Sequence, residues 1–83
     1  MTRKELKTIF KMAKDSELDI CVAVTIPNQE DLEYIINKNS SLDNKLEYYL
    51  KAYDENCVHS MNDQIKIVDA FCIDFNEEET IND

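Results

Sequence analysis

The stretch Leu18-Asp19-Ile20-Cys21-Val22-Ala23-Val24-Thr25-Ile26 decides the fold. Ile20, Val22, Val24 and Ile26 recur at every second position, so they share one face of an extended strand. Cys21, Ala23 and Thr25 share the other face. That face is small but uncharged, so both faces are expected to be at least partly covered. Pro27 ends the ladder, because it has no N–H to donate. A strand apolar on both sides needs neighbours and cover, and the rest of the chain must supply them.

Downstream, Pro27 to Asp31 reads as a turn. Leu32 to Asn37 then alternates, with Leu32, Tyr34 and Ile36 against Glu33, Ile35 and Asn37. A short helix and a strand both fit; a hairpin with the first strand is the more economical reading. Lys38 to Ser41 is a polar link. Ser40 or Ser41 can cap a second helix, with Asp43 in its first turn. Leu42, Leu46, Tyr49, Leu50 and Tyr53 then form one helical stripe, which predicts a helix to about residue 55. His59 to Asp63 reads as a loop. Gln64 to Phe75 reads as a third strand, with Ile65, Ile67, Phe71, Ile73 and Phe75 on one face and Val68, Ala70 and Cys72 on the other. Asp69 interrupts the first face and marks a bulge or a sheet edge.

Upstream, Thr2-Arg3-Lys4-Glu5 matches a capping box. Leu6, Ile9, Phe10 and Ala13 follow at helical spacing, which predicts a helix over residues 2–15. The element order is α-β-β-α-β. The expected fold class is α+β: a three-stranded, mainly antiparallel sheet with two helices packed on one face. Residues 1–75 form the expected single domain. Residues 76–83, with Glu77-Glu78-Glu79, are expected to be a flexible acidic C-terminal tail.

Composition narrows the function. The 83 residues include no glycine and one proline. A phosphate cradle needs close backbone approach or positive φ, so neither a P-loop nor a dinucleotide-binding turn is expected. Left-handed turn positions should fall to Asn or Asp. Three cysteines, Cys21, Cys57 and Cys72, do not suggest a disulfide framework. No leader and no apolar run long enough to span a bilayer is evident, so a cytoplasmic protein with reduced thiols is expected.

Formal net charge is −9, unevenly spread. Residues 1–14 carry five bases against Glu5 alone, a charge of +4; residues 15–83 carry four lysines against seventeen acids, a charge of −13. Such a body repels phosphate backbones and anionic lipid, so direct binding to nucleic acid or membrane is not expected.

Catalytic and metal chemistry find little support. Cys57 and His59 are neighbours, but zinc needs a second Cys/His pair that the chain lacks. A nucleophilic Cys57–His59 pair would also need an oxyanion hole, and nothing in the sequence supplies one. The segment from Asp63 to Asp74 lacks the turn glycine and terminal glutamate of a calcium loop. No catalytic, cofactor-binding or metal residues are therefore expected, and no cofactor. The acids remain. Rows of carboxylates can imitate nucleic-acid phosphates and occupy a basic groove on another protein. The expected partner-binding residues are Glu30, Asp31 and Glu33 of the hairpin, and Asp43, Glu47, Asp54 and Glu55 of the second helix and its flank. Tyr48, off the core stripe, is an interface anchor or a partly buried tyrosine. The other reading of the acids is a surface that only keeps a small protein soluble.

The run from Asn37 through Lys45-Leu46-Glu47-Tyr48-Tyr49 and Ala52-Tyr53-Asp54-Glu55-Asn56, followed by Ile65-Lys66-Ile67-Val68, carries a resemblance. It resembles small uncharacterised proteins encoded by bacteriophages and prophages of low-GC Gram-positive bacteria, over about residues 18–75. The resemblance brings no catalytic motif. It implies a phage accessory protein, and many such proteins inhibit host factors. In size and charge the chain is also similar to several anti-CRISPR proteins. The expectation is a small acidic phage-derived protein that binds and inhibits a basic, nucleic-acid-binding host protein such as a CRISPR or other defence effector. The alternative is a structural or self-assembling accessory protein that forms a homodimer. A small enzyme built on Cys57 and His59 is the third reading.

Overall fold

The computed structural model describes residues 1–74. The expected tail, residues 76–83, and the expected strand position of Phe75 lie outside the described residues.

Helix α1 spans Arg3–Asp15. Its capping box forms: the Glu5 N–H donates to Thr2 Oγ1 at 3.2 Å, and the Thr2 N–H donates to Glu5 Oε1 at 3.0 Å. Leu6, Phe10 and Ala13 are buried along one side. Strand β1, Asp19–Val24, follows after a turn at Glu17, whose φ is 56°. Strand β2 is Glu33–Asn37. It pairs antiparallel with β1, Ile20 opposite Asn37 and Val24 opposite Glu33, so the hairpin reading holds.

Helix α2 spans Leu42–Ala52, after a single 3-10 turn over Asn39–Ser41. Ser41 is its N-cap residue, but its side chain makes no capping bond. The helix stops short of residue 55. Tyr53 is already extended, with φ −120° and ψ 147°. Asp54 then holds a turn: its Oδ1 accepts from the N–H groups of Asn56 and Val58, at 2.8 and 3.0 Å. A carboxylate that satisfies those amides ends the helix.

The sheet has four strands rather than the three expected, in the order β2-β1-β4-β3, all antiparallel among the described residues. Strand β3 is only Val58–His59, so it overlaps the stretch expected to be a loop, His59 to Asp63, at His59 alone. Two residues are too short to show an alternation, so no pattern announces them. Strand β4 is Asn62–Ile73. Both helices pack on one face of the sheet. Leu6, Phe10, Leu42, Tyr49 and Tyr53 join Ile20, Val22, Val24, Ile67 and Ala70 in one core.

The expected faces of β4 are corrected. Val24 pairs with Ile67, but Ala23 pairs with Asp69, so Val68 is an extra residue. This bulge shifts the alternation by one. Ile67 and Ala70 face the core, and half-buried Cys72 packs against it. Phe71, opposite Cys21, therefore turns to the outer face. The left-handed positions are also corrected: Asn28 takes one, as expected, but Glu17 and Cys57 take the others.

Candidate functional site

The residues expected to meet a partner fall in three places. Asp43 and Glu47 lie on the first half of α2, and each is held by a lysine of the same chain. Lys14 Nζ, at the end of α1, donates to both Asp43 oxygens at 2.9 Å. Lys51 Nζ donates to Glu47 Oε1 at 2.9 Å, one turn away. These pairs are exposed, so they are weak in energy. They nonetheless cancel two of the charges that were expected to face a partner. The basic first helix thus meets the acidic body, in part, within one molecule.

Asp54 and Glu55 lie in the turn after α2. The Asp54 carboxyl is held below the usual carboxylate range, first by the Val58 N–H and then by the Asn56 N–H. Its visible task is local: it shapes the turn that seats Cys57 at φ 59°. Glu55 is exposed, and it lines a surface cleft with Arg3, Lys4 and Lys7.

Glu30, Asp31 and Glu33 lie on the connection from β1 to β2 and at the first position of β2. All three are exposed, and no ion pair among the described residues engages them. They follow the turn at Asn28, whose φ of 65° lets the chain reverse without glycine. Glu33 also reaches inward in its field. Burial first, then Tyr48, Tyr49 and Cys57, and last the Glu33 carboxylate push the Tyr53 hydroxyl up to about 12.

Tyr48 is 55% exposed, with its ring edge-on to buried Tyr49 at 5.4 Å between centroids. Tyr49 itself is held to β2, its Oη donating to Asn37 Oδ1 at 3.1 Å.

Cys57 and His59 serve the fold. Cys57 is buried in the core, and burial is the main cause that pushes its thiol up. A nucleophilic thiol needs the opposite shift. His59 Nδ1 accepts the Met61 N–H at 3.0 Å and so holds the β3–β4 turn. Its ring stands edge-on to Tyr53 at 5.1 Å. No group of three metal-ligating side chains occurs among the described residues. No helix among them is long and apolar enough to cross a membrane.

Residue patterns did not show which acids the chain would neutralise itself. The signal for the Lys51–Glu47 pair was present as an i,i+4 spacing, but Lys14–Asp43 joins residues 29 apart, and only the helix packing brings them together. Comparison of the chain with models of protein families, with curated proteins and with solved structures found no match.

Proposed function

We propose that this chain is a small acidic interaction protein that binds and blocks the basic, nucleic-acid-binding surface of a bacterial host protein, such as a CRISPR or other defence effector, in the host cytoplasm. The observation that carries the reading is the trio Glu30, Asp31 and Glu33: three exposed carboxylates with no ion pair among the described residues, two on the β1–β2 connection and one at the first position of β2. Such a row presents negative charge to a groove built for phosphates. Tyr48 supplies an aromatic anchor on α2. Asp43 and Glu47 contribute only where a partner's bases displace Lys14 and Lys51. Asp54 belongs to the turn rather than to the contact.

The reading is tested by capture from bacterial lysate followed by elution with a DNA oligonucleotide. A nucleic-acid-binding protein released by DNA supports it. Capture of acidic proteins only, or of nothing, counts against it. The alternative, a self-assembling accessory protein with no inhibitory role, takes its support from the apolar outer face of the sheet.

A further inference from the structure

The sheet itself gives the β3–β4 turn little support. Strand β3 is two residues long and ends the strand order, and it pairs with β4 only at Val58–Lys66 and His59–Asn62. An edge held by so few bonds opens at low cost. The Ser60 N–H donates to Ala52 O at 2.9 Å, backbone to backbone. The Met61 N–H depends on an imidazole: it donates to His59 Nδ1 at 3.0 Å. That bond fixes the tautomer, with a lone pair on Nδ1 and the proton on Nε2. A second proton goes to Nδ1. It removes the acceptor and sets one N–H against another. Histidine is the side-chain type that ordinarily changes charge between about pH 5 and 8, and the chain holds one.

We infer that the β3–β4 turn is a pH-sensitive element, closed on neutral His59 and opened when Nδ1 takes a proton. The turn carries Met61, 86% exposed and the most open large apolar side chain among the described residues. Its opening releases that apolar tip from a fixed place.

The neighbours of His59 do not make good the lost bond. The ring stands edge-on to Tyr53 at 5.1 Å, and the Tyr53 hydroxyl, pushed up to about 12, stays neutral in this range. Arg3 of α1, which donates to Tyr53 O, and Lys66 of β4, opposite Val58, are cations. Asp54 accepts from the Asn56 and Val58 N–H groups, and Asp63 follows Asn62, the residue opposite His59. No ion pair joins either carboxylate to His59 among the described residues. Protonation therefore removes the turn bond without adding a salt bridge. The device is independent of the proposed partner contact, because it operates in the free chain.

The test is NMR of the full chain between roughly pH 8 and pH 5. The Met61 amide signal should move in step with the His59 ring protons. Its exchange, corrected for the intrinsic effect of pH, should quicken about two- to tenfold at the acid end. The Gln64 N–H, which donates to Asn62 Oδ1 at 2.9 Å in the same hairpin, should stay unchanged. In His59→Asn an oxygen that takes no proton replaces Nδ1, so the Met61 signal should become indifferent to pH. A Met61 amide that stays still while the ring titrates overturns the inference. So does one that moves as much in His59→Asn. If that variant lowers the melting temperature, the natural chain decides alone: a change shared equally by Gln64 contradicts the device.

Discussion

Tyr49 Oη donates to Asn37 Oδ1 at 3.1 Å, and both residues are buried. The bond ties α2 to β2 and places an amide where the alternation of β2 would otherwise bring an apolar side chain. Asn37 Nδ2 also donates to Ile35 O at 3.2 Å. Removing the tyrosine hydroxyl leaves a buried acceptor without that donor. Tyr49→Phe should therefore cost about 1–3 kcal/mol in urea unfolding. The double variant Tyr49→Phe with Asn37→Leu should recover part of the loss, because it removes both partners.

Arg3 joins the two helices. Its Nη2 donates to Leu50 O and Tyr53 O, both at 2.8 Å, and its N–H donates to Glu55 O at 2.9 Å. A cation at the end of α2 satisfies carbonyls that the last turn leaves open. Arg3→Ala is expected to destabilise by about 1.5–3 kcal/mol. Arg3→Lys should restore only part, since an ammonium lacks the planar fork. Thermal melts of the three proteins decide it; an unchanged Arg3→Ala protein would remove the cap from the account.

High pH should unfold this protein early. The Tyr53 hydroxyl is pushed up to about 12 from an ordinary 10.0, Tyr49 is also raised, and burial is the leading cause for both. Below pH 10 both states are neutral and the full stability is present. Above it the unfolded chain ionises while the folded chain does not, so stability falls as pH rises towards 12. Urea midpoints across this range should drop, and Tyr53→Phe should flatten the drop. In an absorbance titration of the folded protein, the Tyr53 hydroxyl should ionise well above an ordinary tyrosine, towards pH 12.

The bulge makes a prediction about chain length. Deleting Val68 leaves Ile67 and Ala70 two positions apart, which is the spacing of one face of a regular strand. The shortened chain should fold, with a change in stability within about 1 kcal/mol. Deleting Ala70 instead carries Phe71 into the core place of an alanine and should cost more. Circular dichroism and melting of both deletions test this; if the Val68 deletion fails to fold, the bulge is essential.

Much of this architecture could be read from residue patterns where local signals were strong. The capping box at Thr2 and Glu5, the alternation through β1, the hairpin to β2 and the stripe of α2 each act within a few residues. The bulge was visible as a break at Asp69, but its consequence was not. Whether Phe71 or Ala70 faces the core depends on one residue left unpaired against β1, which is a property of the pairing rather than of the strand. Strand β3 was hidden by its length. The acids were legible as a surplus, yet their roles were not. Lys14 neutralises Asp43 and Asp54 turns to its own amides because of packing and turn geometry, neither of which a charge count contains.

The central claim is that the acids of the β1–β2 connection and the start of β2 meet a basic partner. The most direct measurement is the affinity for the captured partner against salt, for the natural chain and for Glu30→Lys, Asp31→Lys and Glu33→Lys combined. All three positions are exposed, so the variant should fold. The account predicts binding that weakens steeply with salt and is lost, by at least tenfold, in the variant. Binding indifferent to salt, or unchanged by the three reversals, would contradict it.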